Sequence, residues 1–162
     1  METGPRFFCD EQLGKLARWL RIIGQDTLYE RQIADADLIA RARAEGRIVL
    51  TRDRRLPERA AGVEIIVLAE NYPALQLREV ARLFAGRMSI RVFSRCVACN
   101  GEIEPVAKAG LEGQVPPFVF ATQNEFTRCR DCGRVYWQAT HRARVDHILG
   151  DLIGPEKVDS RS

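Results

Sequence analysis

Two sets of residues in this chain have types and spacings that suit chemistry. Four cysteines form two CxxC pairs, Cys96–Cys99 and Cys129–Cys132, separated by 29 residues. Four thiolates in two close pairs make a tetrahedral set that satisfies zinc fully and leaves no open position, so such a site is structural. Iron in a rubredoxin-like arrangement is the alternative. Gly101 and Gly133 follow the pairs and permit tight turns that aim backbone N–H groups at the sulfurs. The second set is acidic: Asp10, Asp35 and Asp53 each stand where the apolar pattern changes. Gathered carboxylates repel one another unless cations bind, and their hard oxygens suit magnesium or manganese.

Whether those acids gather depends on the elements that carry them. Phe7 to Cys9 reads as a short strand ending at Asp10. Leu13, Leu16, Ala17 and Leu20 recur at helical spacing until Gly24. Thr27 to Tyr29 is a second strand, and Ala36 to Glu45 a helix with Leu38, Ile39 and Ala42 on one face. Ile48 to Leu50 is a third strand, closed by Thr51, Arg52 and Asp53, with a short helix before Gly62. Val63 to Leu68 is a fourth strand, and Leu77, Val80, Ala81 and Phe84 trace a helix ended by Gly86. Continuous apolar strands alternating with helices predict an α/β fold, a parallel sheet with helices on both faces. The composition then shifts to cysteine, glycine and proline, predicting a small metal-stapled module. Val145, Ile148, Leu149 and Leu152 predict a last helix, and Pro155 to Ser162 a frayed tail. The expected boundaries are 1–92, 93–145 and 146–162.

In parallel sheets, sites form beyond the carboxyl ends of the strands. Asp10, Asp35 and Asp53 all fall at that rim. Asp35 continues the inward stripe of its helix by one turn, whereas Asp37 lies four residues before Arg41 on the solvent face and is held in reserve. Carboxylate-held cations can activate water against a phosphodiester, which is nuclease or phosphatase chemistry. The bland alternative makes Asp10 a turn residue, Asp35 a helix N-cap and Asp53 the cap of the next short helix. Basic residues flank the acids: Lys15, Arg18 and Arg21 on the polar face of the first helix, and Arg52, Arg54 and Arg55 around Asp53. They are either a solvated face or counter-charge for a polyanion. Near the second cysteine pair, Arg128, Arg130, Arg134, Arg142 and Arg144 interleave with Tyr136, Trp137 and His141. That cluster can bind single-stranded nucleic acid, or its aromatics can pack the metal module. Trp19 and Cys9 read as core.

The net charge of +3 over 162 residues does not itself announce nucleic acid. Arginine outnumbers lysine 22 to 3, and residues 1–95 carry 17 basic against 13 acidic residues. Arginine is the better bidentate phosphate ligand. No apolar run approaches a membrane span and no leader pattern opens the chain, so a cytoplasmic protein with no membrane partner is expected.

FCDEQLGKLARWLRII from Phe8, RIVLTRDRRL from Arg47, SRCVACNGEI from Ser94 and FTRCRDCGRVYW from Phe126, followed by His141, together resemble the Mut-seven C-terminal ribonuclease family. The resemblance implies a PIN-like nuclease domain carrying a C-terminal zinc ribbon, with metal-dependent RNA hydrolysis at Asp10, Asp35 and Asp53. It implies zinc on Cys96, Cys99, Cys129 and Cys132. PIN-like nucleases usually add a fourth acid, for which Glu11 and Asp37 are the candidates here. Ala139 stands where the family often has glycine. The reading is an RNA endonuclease in which Lys15, Arg18, Arg52, Arg54, Arg142 and Arg144 contact RNA. A non-catalytic RNA-binding or ribosome-associated adaptor and a small-phosphoester phosphatase are its rivals. A homo-dimer or an antitoxin-like partner is compatible with it, and no residue selects either.

Overall fold

Phe7, Phe8 and Cys9 form strand β1, and all three side chains are fully buried. Successive strand residues face opposite ways, so complete burial needs cover on both sides. The computed structural model, which describes residues 4–137 and 145–150 and the backbone of 158–159, shows that cover. Strands β2 (Thr27–Tyr29), β3 (Ile48–Thr51) and β4 (Ile65–Val67) join β1 in a sheet of order β2-β1-β3-β4. Every pairing is parallel, with Phe8 level with Leu28 and Val49, and Leu50 level with Ile66.

A 3-10 turn (Glu11–Leu13) leads into α1 (Gly14–Ile22), which packs with α3 (Pro73–Leu83) on one face. Phe7, Cys9, Ile48 and Leu50 meet Leu16, Leu20, Leu77, Val80 and Phe84 there, with Trp19 at the margin. On the other face, Phe8 and Val49 meet Leu38, Ile39 and Ala42 of α2 (Asp35–Glu45) and Leu56 of a second 3-10 turn (Leu56–Arg59). Each fully buried side chain of this size contributes roughly 1.5–3 kcal/mol of transfer free energy. The α/β architecture matches the expected one, with small differences at element ends. α2 begins at Asp35 itself, after an extended Ala34, and β4 is shorter than the apolar run.

A short strand β5 (Ile90–Arg91) follows. Beyond it, β6 (Ile103–Val106), β7 (Phe126–Cys129) and β8 (Val135–Trp137) form an antiparallel sheet of order β6-β7-β8. Helix α4 (Pro117–Thr122) crosses between β6 and β7. Leu111, Val115 and Phe126 make a separate small core there, covered by Val119, Phe120 and Trp137. The chain then returns: the helix at residues 145–150 adds Val145 and Leu149 to the core beside α1 and α3. Val158–Asp159, in the stretch expected to fray, forms β9 parallel to β5. Leu152 and the rest of the expected tail lie outside the described residues.

The small sheet is tied to the large one through buried polar groups. Arg21, expected on the polar face of α1, is instead buried. Its Nε donates to the Thr27 carbonyl at 2.9 Å and its guanidinium to the Val97 carbonyl at 2.9 Å. The stripe rule misplaced it because its partners lie between the two sheets rather than in solvent. Asn100 Oδ1 accepts from the Thr27 backbone N–H at 2.9 Å, and Asn100 Nδ2 donates to Asp26 Oδ1 at 2.8 Å. Side chains thus occupy the backbone groups on the outer edge of β2, which blunts that edge strand against foreign pairing. Arg47 donates to Asp26 Oδ1 at 2.7 Å and to the Phe7 carbonyl at 3.2 Å.

Burial pushes the Asp26 carboxyl up, but hydrogen bonds from Arg47 and Asn100 outweigh it and hold it below the usual carboxylate range. A depressed folded-state pKa stabilises above the unfolded value of about 3.9 and loses that contribution as pH falls through the folded value. Thermal melting of the wild type should therefore decline as pH drops below about 5. Asp26→Asn should melt lower at pH 7 and decline less steeply in acid. Parallel profiles for the two proteins would remove Asp26 as the cause.

Candidate active site and metal centre

Asp10 follows β1 directly, and its backbone N–H donates to the Leu50 carbonyl of β3 at 2.9 Å. Asp10 caps the 3-10 turn, accepting from the Glu11 backbone N–H at 2.7 Å. Its other oxygen, Oδ2, accepts from the Thr51 hydroxyl at 2.7 Å. The same hydroxyl oxygen accepts from the Asp53 backbone N–H at 3.0 Å. Thr51 is fully buried, so its one hydroxyl fixes the ends of β1 and β3 against each other. Asp53 Oδ1 accepts from the Arg55 backbone N–H at 2.9 Å, closing a turn. The structural alternative thus holds in part: Asp10 caps its own 3-10 turn and Asp53 closes a turn, but the cap position of the second 3-10 turn is Arg55, not Asp53, and both carboxylates still stand on one edge. Each carboxylate oxygen offers two lone-pair sites, so one such bond leaves capacity for a cation.

Asp35 is the first residue of α2 and makes no capping bond. Its Oδ2 pairs with Arg59 at 3.4 Å across an exposed surface. No three carboxylates among the described residues bring their oxygens within 4.8 Å of one another. The edge thus unites Asp10 and Asp53 through Thr51 and leaves Asp35 on an ion pair. Asp37 is exposed in the same first turn of α2, and Glu11 is exposed beside Asp10. Arg41, the expected neighbour of Asp37, pairs with Glu30.

The basic residues divide. Lys15 and Arg18 are exposed on α1, and Arg54 and Arg55 are exposed after β3. Arg52 is half-buried and donates to Asn71 Oδ1, while its Nε has no hydrogen-bond partner among the described residues. Asn71 and Thr51 carried no sequence signal of their own. Thr51 is marked only by its place between a buried strand and Asp53. Arg142, Arg144, His141 and Ala139 lie outside the described residues.

The four cysteines do converge. Their sulfurs all lie within 4.8 Å of one another, with Cys96 to Cys132 at 3.7 Å and Cys99 to Cys129 at 3.4 Å. A zinc–sulfur bond of about 2.3 Å implies tetrahedron edges of about 3.8 Å, so spacing and soft donors both fit zinc. Backbone N–H groups of Gly101 and Asp131 point at Cys99 and Cys129 sulfurs at 3.4 Å each. In the second turn the amide is therefore that of Asp131, while Gly133 supplies the left-handed backbone at φ 76°. Gly101 is needed for space: a Cβ there would sit 2.6 Å from Asp131 Oδ2 and 2.8 Å from Cys129 Sγ.

Tyr136 Oη lies 2.9 Å from Cys96 Sγ, and Trp137 packs into the small core. These contacts give both aromatics structural work within the metal module. Burial pushes the Cys96 thiol up, but hydrogen bonds from Tyr136 and from the Cys99 and Ala98 amides more than offset this, bringing it to about 7. Burial drives Cys99 the other way, to about 12. Burial also raises the Cys9 thiol well above its usual range, so Cys9 is an inert core residue.

Zinc analysis of the purified chain should return one ion per molecule, and Cys129→Ser should lose it together with the near-ultraviolet signal of Trp137. Retention of a full equivalent of zinc by Cys129→Ser would exclude this four-sulfur site.

No helix among the described residues is long and apolar enough to cross a membrane. Neither the curated proteins nor the solved structures contain a match to this chain. The model of the Mut7-C RNAse domain matches residues 5–149. That span takes in the parallel sheet, the acid-bearing edge and all four cysteines, so the chain belongs to the Mut7-C RNAse domain family.

Proposed function

We propose that this protein is a metal-dependent ribonuclease, an endonuclease that hydrolyses RNA phosphodiester bonds at the carboxyl edge of its parallel sheet. The observation that carries the reading is the Thr51 hydroxyl, bonded to the Asp10 carboxylate at 2.7 Å and to the Asp53 backbone at 3.0 Å. It holds two acids from neighbouring strand ends in fixed relation beside cationic side chains. Their hard oxygens fit magnesium or manganese, which Asp10, Asp35 and Asp53 would hold. When bound, such an ion supplies Lewis acidity toward the phosphodiester and activates water.

The chain's own groups do the rest. Thr51 fixes Asp10 Oδ2 and the Glu11 N–H fixes Oδ1, so the carboxylate is held from both sides and each oxygen keeps a lone pair for a cation. Asp35 completes the set by leaving Arg59, and an exposed pair of that kind is worth only about 0–1 kcal/mol. Glu11 and Asp37 are the reserve ligands. Arg52, Arg54, Lys15 and Arg18 would take flanking phosphates, and Arg142 and Arg144 would extend that contact along the RNA. The zinc ribbon braces the outer edge of β2 and so the sheet. Four thiols gathered as metal ligands rather than as disulfides suit a reducing compartment, so the reading includes a cytoplasmic location.

Asp53→Asn should leave the melting temperature within a few degrees and reduce magnesium- or manganese-dependent RNA cleavage by at least about 100-fold, as expected for loss of a metal-held charge. Undiminished cleavage would refute the mechanism. A zinc-loaded wild type that binds RNA without cutting it would favour the non-catalytic adaptor.

A further inference from the structure

We propose that Tyr72 is a stacking platform for an unpaired RNA base next to the scissile phosphate, which makes single-stranded RNA the substrate class. The inference rests on the ribonuclease reading and adds a substrate-binding residue to it. Among the described residues, three large hydrophobic side chains are more than half exposed: Tyr72, Leu83 and Phe118. Leu83 ends α3 and Phe118 lies on α4 of the small module. Tyr72 alone lies on the loop that leaves the carboxyl end of β4, the edge that carries the acids.

The path from Tyr72 to the acids is short and specific. Leu68, just past β4, donates its backbone N–H to the Thr51 carbonyl at 2.8 Å. Three residues later, Asn71 accepts from the Arg52 guanidinium. Arg52 itself lies between Thr51, which holds Asp10, and Asp53. Among the described residues Arg52 pairs with no carboxylate, so its charge stays available to an anion. An exposed ring on the residue after the one that Arg52 holds, at the edge of the proposed cleavage site, offers what a nucleotide needs: stacking for the base and a nearby charge for its phosphate.

A single exposed tyrosine is common on protein surfaces and by itself indicates nothing. The backbone that carries this one is held in place, and its side chain is exposed. The Glu79 carboxylate accepts from the Ala69 N–H at 3.0 Å and from the Glu70 N–H at 3.1 Å. Buried Gln76 donates its side-chain amide to the Glu70 carbonyl at 3.0 Å and its backbone N–H to the Tyr72 carbonyl at 2.8 Å. Pro73 opens α3 and restricts Tyr72 to the extended backbone it shows, φ −105° and ψ 141°. With the loop fixed, little chain entropy is lost when a base stacks on the ring. The bases of duplex RNA are already stacked on one another, so the platform selects unpaired nucleotides.

The test uses zinc-loaded full-length protein and a single-stranded RNA octamer carrying one 2-aminopurine, without added magnesium or manganese. Stacking on Tyr72 should quench the probe. Tyr72→Ala should lose the quenching and bind roughly 5- to 100-fold more weakly, the range for one base–aromatic stack. Tyr72→Phe should restore both, and the same sequence as a duplex should bind more weakly than the single strand. Unchanged affinity and quenching in Tyr72→Ala, or equal binding of duplex and single strand, would overturn the proposal. Cleavage is read separately with metal restored. A wild type that quenches the probe but never cuts would refute the ribonuclease reading alone. A wild type that cuts with a KM unchanged by Tyr72→Ala would refute the platform alone.

Discussion

A buried guanidinium holds the amino ends of three strands and the small module in one arrangement. The Arg47 side chain is 6% exposed and pairs with Asp26 at 2.7 Å. Arg47 precedes β3, its second contact is the Phe7 carbonyl of β1, and Asp26 precedes β2. The Phe7 N–H in turn donates to the Asp26 carbonyl at 2.8 Å. Asp26 also accepts from Asn100, which sits between the Cys96–Cys99 pair and Gly101. Removing one partner of a fully buried ion pair typically costs about 3–5 kcal/mol, because the other charge is left unpaired in a poor solvent; the Asp26 side chain is 23% exposed, so the loss here is smaller.

That anchoring reaches the acids because the strands are short. β1 has three residues, so the two ends of the strand are separated by roughly 10 Å at about 3.3 Å per residue. A slip of one residue at the Arg47 end would turn Phe7 and Phe8 to the wrong faces and carry Asp10 away from Thr51. The amino edge therefore fixes register, and the carboxyl edge uses it. The cysteine cluster takes part indirectly. By shaping the turn that presents Asn100 at φ 73°, it supplies the group that satisfies the outer edge of β2.

The parts legible in the sequence were those written locally. Apolar runs and helical spacing mark the strands of the parallel sheet and its helices; the signal is strongest at β1 and β3, the two central strands, which are buried on both faces. The two CxxC pairs announced a soft tetrahedral site, and the sulfurs do converge. Asp10 and Asp53 could be placed on one edge because strand ends fall there in any parallel sheet. What escaped was long-range. Arg21 looked solvated on its helix, yet its partner Val97 is 76 residues away. Asn100 and Asp26 are 74 apart, and no periodicity links them. Tyr136 and Trp137 could be read either as RNA contacts or as packing, since only the fold shows one against a sulfur and the other in the small core.

On the proposed function, the carboxylates at the ends of β1 and β3 act together as a site for a hard divalent cation. Manganese binding followed by electron paramagnetic resonance on zinc-loaded protein, wild type beside Asp10→Asn, tests it without reference to any substrate. Saturable manganese binding by the wild type and its loss in Asp10→Asn, with the ribbon zinc retained in both, is the expected result. Equal manganese binding by the two proteins, or none by the wild type, would contradict it.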